Sequence, residues 1–354
     1  MPIPVLKPAP SGLEEHMVVE ALRSGWWGNG PRCREFEELL AKAYARQHAV
    51  TVNSATAALH LSCLATGIGP GDEVIVPALT FISTALAVLY CGATPVFADV
   101  RPDTLTIDWP AAQLLVTERT KAIIPVDFAG YPAFVARPDT PLTVIQDAAH
   151  APLGPAYGDY ICLSFHPVKP IASPDGGAIV LNDDATADRL RRLRWCGIDR
   201  DTWQRNGRQY AWRYEVRELG YKSHWNDIAA SIALAQLERY DALLARRRAL
   251  ACRYQLALCT CPVGLPVEHY RHQWHLFIIR VAADERDALI DYLAERGISC
   301  GVHYEPLTHY ALFNQPTPLV AEREWQRLVT LPLYSDMLES EQDQVIQAVR
   351  EFYD

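Results

Sequence analysis

A chain of 354 residues can bury a large core and hold one large domain with a smaller one beside it. Apolar residues make up 49% and charged residues 21%, the balance of an ordinary soluble globular protein. The net charge of -9 argues against a nucleic-acid binder, which needs clustered Lys and Arg, but leaves room for a locally positive pocket. The nine cysteines are odd in number and contain no CxxC pair, so neither a metal site nor a disulfide framework is expected. Buried reduced thiols in a cytoplasmic protein are the expectation. The stretch from Met1 to Pro8 has no basic start and no long apolar run, so no signal peptide is expected. Nowhere do ~18 apolar residues follow one another, so no membrane span is expected either.

From residue 48 onward, short β-branched runs alternate with helical stretches. Strands are predicted at 48–52, 73–76, 95–100, 121–126, 142–146, 161–165 and 178–181, with helices at 56–66, 83–90 and 187–195. Gly67, the turn Gly69-Pro70-Gly71-Asp72 and the Cys91-Gly92 pair punctuate the series. Such alternation predicts an α/β fold, a mostly parallel central sheet covered by helices on both faces. Beyond residue 184 the chain becomes helical and charged, with a long stretch at 227–258. A βαβ-like segment follows (strand 274–281, helix 285–296, strand 298–303), and 339–353 reads as a closing amphipathic helix. The domain boundary is expected near residue 240, giving a large domain over 1–240 and a smaller C-terminal α/β domain over 241–354.

Candidate functional residues gather at the carboxyl ends of predicted strands, where open α/β sheets bind ligands. Asn53-Ser54-Ala55-Thr56 lies between a strand and a helix, where small residues let backbone N–H groups approach a phosphate. Taken by itself, the segment is better read as a helix cap formed by Ser54 or Thr56. Asp147 ends an apolar run, and a carboxylate so placed could hold a pyridine nitrogen protonated. His150, one helical turn later, could orient it or the phenolic oxygen of such a ring. Lys169, in Ser164-Phe165-His166-Pro167-Val168-Lys169, follows an apolar strand; burial there would favour the neutral, nucleophilic amine. Asp175-Gly176-Gly177 supplies a tight turn, and Phe81 could stack on a ring or fill a core.

No one of these signals is decisive, but their order and spacing together resemble the DegT/StrS family of sugar aminotransferases. The resemblance spans nearly the whole chain, through Gly28-Asn29-Gly30-Pro31, Asn53-Ser54-Ala55-Thr56, Gly71-Asp72-Glu73-Val74, Asp147-Ala148-Ala149-His150, the Lys169 segment and Gly220-Tyr221-Lys222. It implies fold type I and the cofactor pyridoxal 5'-phosphate, with pyridoxamine phosphate as its aminated form. It also implies a homodimer whose active sites are shared between subunits, a nucleotide-linked keto sugar as acceptor and glutamate as amino donor. Residue by residue, Lys169 falls on the lysine that carries the cofactor, Asp147 on the partner of the ring nitrogen and Phe81 on the stacking aromatic. Ala55, Thr56 and Ser164 fall on the phosphate cradle. Lys222 and His224 fall in a segment that reaches the neighbouring subunit's phosphate, where the family usually has Asn or Arg. Trp27, His303 and Tyr304 are expected on the substrate side. The stretches between Gly130 and Asp147 and between His150 and Ser164 are shorter than is usual for the family.

Two other readings stand beside this one. A sugar dehydratase of the same family would carry histidine in place of Lys169, and a non-catalytic regulatory relative would need neither the lysine nor the cradle.

Overall fold

In a computed structural model that describes residues 2–199 and 212–354, the strand and helix alternation folds into a seven-stranded sheet. Two helices precede it that the alternation does not announce, α1 (Gly12–Ser24) and α2 (Pro31–Ala43). Ser11 and Glu14 form a capping box on α1, and Gly25 closes it at φ 72°, a left-handed conformation that glycine adopts without steric cost. Helix α2 starts with Pro31 and has no side-chain cap of its own. The buried Asp227 carboxylate caps it from far along the chain, accepting from the N–H groups of Gly30, Arg32 and Cys33 at 2.9–3.1 Å.

The sheet elements follow in order: β1 (His48–Val52), α3 (Ala55–Ala65), β2 (Glu73–Pro77), α4 (Ser83–Tyr90), β3 (Thr94–Ala98), α5 (Trp109–Leu114), β4 (Thr120–Ile123), β5 (Thr143–Asp147), β6 (Tyr160–Ser164), β7 (Gly177–Leu181) and α6 (Asp184–Leu193). Spatially the strands run β1-β7-β6-β5-β4-β2-β3. Strand β7 is antiparallel to both of its neighbours and every other pairing is parallel. Side chains alternate between two cores. Cys162, Ile179 and Leu181 pack with Leu59, Leu61 and Val88 of α3 and α4. Ile161, Leu163, Ala178 and Val180 pack with Phe36, Leu40 and Trp225 on the opposite face. Strand β4 is shorter than the predicted 121–126 because the chain reaches Pro125, which has no N–H to donate to a ladder; only a bridge joins Val126 to Asp147.

The predicted helix at 227–258 is two helices, α7 (Asp227–Glu238) and α8 (Tyr240–Leu258), separated at Arg239, whose backbone leaves helical geometry. Helix α8 joins β8 (Phe277–Arg280), α9 (Arg286–Glu295), β9 (Leu328–Leu331) and α11 (Glu339–Tyr353) around a separate apolar cluster, with α10 (Leu319–Trp325) leading into β9. The expected βαβ pairing here is corrected by the structure. Strand β8 pairs antiparallel with β9, and 298–303 makes only isolated bridges, Ile298 to Ile3 and Gly301 to Thr330. The apolar run Leu328–Leu331 is fully buried, so it competes successfully for the edge of β8. All nine cysteines are free; Cys33, Cys63, Cys91 and Cys162 are buried, whereas Cys252 and Cys259 are exposed, against the expectation of uniformly buried thiols. No helix among the described residues is long and apolar enough to cross a membrane.

Candidate active site

The carboxyl ends of β5 and β6 and the first turn of α3 open onto one cavity of ≈ 310 Å³. Ala55, Thr56, Phe81, Asp147, His150, Ser164, Lys169, His303 and Tyr304 all line it. The loop before α3 lies hard against the start of β7: a Cβ on Gly177 would stand 2.5 Å from the carbonyl carbon of Ser54. That close approach is what glycine at 177 permits, while Gly176, at φ 133°, makes room for the Trp225 ring. The Ser54 hydroxyl accepts from Ala57 N–H at 3.1 Å, so Ser54 is the helix cap. Ala55 and Thr56 occupy the first turn, whose N–H groups have no carbonyl within the helix to bond and can face an anion. The Thr56 hydroxyl sits 2.7 Å from that of Ser83.

Asp147 is buried at the end of β5, where Thr84 Oγ1 donates to Oδ2 at 2.9 Å and Ala149 N–H to Oδ1 at 3.2 Å. Burial pushes its carboxyl above the ordinary range, against the pull of these donors and the Lys169 charge. Phe81 keeps more than half of its surface uncovered and flanks the same space, with the Tyr304 ring 5.9 Å away. His150 does not bond Asp147. Its Nδ1 accepts from Ala129 N–H at 3.2 Å, so its proton lies on Nε2, which faces Tyr304 Oη at 3.2 Å. Burial holds this imidazole far below its usual pKa, in the neutral form.

Lys169 reaches into the cavity from the turn after β6. Burial lowers its pKa to about 8, only partly opposed by Asp147. Its Nζ stands 3.4 Å from Nε2 of His275, a residue that pattern reading passed over inside the apolar run Trp274–Ile279. A histidine enclosed by apolar neighbours was the signal there, and it is ambiguous, because such residues are often simple core members. His303 is fixed by Thr330 Oγ1 at 2.8 Å from Nδ1, and burial lowers its pKa to about 4.

Lys222, His224 and Trp27 are not brought to this cavity within one chain. His224 and Trp27 line another, of ≈ 300 Å³, with Trp26, Asn29, Arg194 and Trp195. Lys222 Nζ lies 3.6 Å above the Trp195 ring. Asn29 Nδ2, Trp195 Nε1 and His224 Nδ1 are buried there without a hydrogen-bond partner.

The cavity around Lys169 suits a phosphorylated pyridine aldehyde: an amine for the aldehyde, a buried carboxylate for the ring nitrogen, an open aromatic face, and a helix first turn with small residues for the phosphate. Comparison with known proteins agrees. The family model for the DegT/DnrJ/EryC1/StrS aminotransferases matches residues 11–350. The aminotransferase TlmJ from Streptoalloteichus hindustanus is 31% identical, with 99% of this chain and 98% of that one covered at a TM-score of 0.92. Spr1654 from Streptococcus pneumoniae, in its PLP form, is 30% identical, with 99% and 98% covered at a TM-score of 0.89, and its PMP form matches equally well in outline. Helicobacter pylori PseC, an aminotransferase involved in the biosynthesis of pseudoaminic acid, is 25% identical, with 100% and 99% covered at a TM-score of 0.90. The chain belongs to the DegT/DnrJ/EryC1/StrS aminotransferase family, a pyridoxal-phosphate enzyme of fold type I.

Proposed function

We propose that the cavity around Lys169 is the active site of an aminotransferase that moves an amino group from L-glutamate to a nucleotide-linked keto sugar. The convergence of Lys169, Asp147 and the first turn of α3 on one cavity carries this reading. When bound there, the cofactor supplies a covalent attachment point for the amino group and an electron sink for the carbanion left at Cα. Lys169 would hold it and, once released, would carry a proton between the donor's Cα and the carbon that bore the aldehyde (C4′), work for which an amine with a pKa of about 8 is well matched near neutral pH. Asp147 keeps the ring nitrogen protonated. Ala55, Thr56 and Ser164 hold the phosphate, Phe81 stacks on the ring, and His303 and Tyr304 border the substrate. His150, pinned by Ala129 and Tyr304, holds part of the cavity wall in place. The lysine also speaks against the dehydratase reading, in which histidine stands at this position.

The likeness to sugar aminotransferases supports the acceptor class, and the family resemblance supports glutamate and the nucleotide. A panel of nucleotide-linked keto sugars and the matching free sugars, assayed with glutamate, tests all three. The expected result is 2-oxoglutarate release with at least one nucleotide-linked ketose. Turnover on free sugars alone would remove the nucleotide from the reading, and amination from another amino acid but not glutamate would remove the donor.

We infer further that the site is shared across a homodimer. Lys222 and His224 lie away from their own chain's cavity, beside buried polar atoms left without partners, which a second copy could complete. Burial lowers the His224 pKa to about 4, so Lys222 is the cation available to a partner's phosphate. Mixing Lys169→Ala with a double variant, Lys222→Ala and His224→Ala, under subunit exchange should restore about a quarter of the wild-type activity, since half of the dimers are mixed and each regains one site. Demonstrated exchange without any recovery would refute the shared site.

A further inference from the structure

We propose that His275 is a positioning residue for Lys169: its Nε2 accepts a hydrogen bond from the lysine amine whenever that amine is free, and so holds Nζ in place within the cavity, ready to act. The inference rests on the reading of Lys169 given above.

The geometry supports it in three ways. Nζ of Lys169 lies 3.4 Å from His275 Nε2, which is its hydrogen-bond contact among the described residues, although Asp147 lines the same cavity. The imidazole is 1% exposed and its backbone is clamped: its N–H donates to Ala129 at 3.0 Å and its carbonyl accepts from Arg247 at 3.3 Å. The backbone position is thereby fixed, and the full burial of the side chain leaves the ring little room to turn. Its other nitrogen, Nδ1, is buried with no hydrogen-bond partner. An orphaned buried nitrogen is costly and calls for an explanation. A charged amine has three N–H groups and no lone pair, so the nitrogen facing it must be the unprotonated one. The ring proton is thereby confined to Nδ1, where nothing receives it. The fold accepts that cost to leave a lone pair aimed at the lysine.

Burial and the neighbouring positive groups hold His275 neutral, as an acceptor has to be. The charged and titratable groups acting on this pair are Asp147, His150, His303 and Arg247. Of these only Asp147 is an anion. His150 cannot substitute for His275, because its lone pair is spent on Ala129 and its proton faces Tyr304.

The test compares His275→Gln with His275→Asn in the full chain stripped of cofactor. The Gln carboxamide reaches the position of Nε2; the shorter Asn carboxamide reaches only that of Nδ1. Competitive acylation with acetic anhydride across pH, read at Lys169 by peptide mass spectrometry, reports the protonation of that amine. Losing the acceptor withdraws stabilisation from the charged amine, so His275→Asn should move the Lys169 profile down by about one pH unit. His275→Gln should return it to within a few tenths of the wild-type profile. An unshifted profile in His275→Asn, or equal shifts in both variants, would overturn the proposal. Both variants keep a polar group in the space, so loss of folding would affect them alike and shows in their circular dichroism; in that event a wild-type imidazole with its proton on Nε2, read by nitrogen NMR while Lys169 is charged, overturns it instead. A cofactor label found on another lysine would refute the assignment of Lys169 while leaving the acylation result standing, so the two failures are distinct.

Discussion

Lys169→Ala should give a folded protein that binds the cofactor weakly and turns over nothing measurable. Two separate tasks vanish with this one amine, covalent attachment and proton transfer at Cα. At ~1.4 kcal/mol per decade of rate, losing a proton-transfer group alone is worth ~10²–10⁴-fold, and losing the attachment adds to it. Stability should change little, because the replacement lifts the cost of a buried charge but leaves His275 Nε2 without its partner. The direct check is borohydride reduction of the cofactor-loaded enzyme followed by peptide mapping. The chain's lysines are Lys7, Lys42, Lys121, Lys169 and Lys222, so the labelled peptide is easily assigned. A label on any of the other four, or residual turnover near that of the wild type, refutes the role.

The strand and helix alternation of the sheet region was legible because each strand is bounded by turn residues and its side chains serve two cores, as Cys162 and Leu163 do on opposite faces of β6. Loop residues at the strand ends were legible for a related reason. Ala55, Asp147, Ser164 and Lys169 stand where backbone periodicity stops, and the structure gathers them around one cavity. What escaped depends on contacts between distant segments. Asp227 looks like the first residue of a helix, but its carboxylate caps α2, nearly two hundred residues earlier. No local pattern shows that. The pairing of β8 with β9 was missed because residues 298–303 also look extended, and burial chose between the two candidates. His275 was invisible for the same reason: its importance is a distance to Lys169, set by Ala129 and Arg247 and by no sequence spacing.

Asp147→Asn should cut turnover by ~10²–10⁴-fold, equivalent to roughly 3–5.5 kcal/mol of barrier, while leaving the protein folded. Asparagine has the shape of aspartate, its Oδ1 can accept from Ala149 N–H, and the Thr84 hydroxyl can accept from the amide as readily as it donates to the carboxylate. What the amide lacks is the charge that keeps a pyridine nitrogen protonated, and the electron sink depends on that proton. Stability separates this effect from unfolding. Burial raises the Asp147 carboxyl above its unfolded value, so the unfolded chain ionises first as pH rises. This residue therefore withdraws stability as pH climbs from the unfolded carboxylate range through its folded pKa, and the penalty persists above that. The amide carries no such penalty. In the cofactor-free protein at neutral pH, Asp147→Asn should melt at or above the wild-type temperature, and below pH 4 the two should converge. Near-normal turnover in the variant would refute the role of Asp147. A melting temperature well below that of the wild type would instead show that the carboxylate holds the fold together and that the loss of activity follows from that.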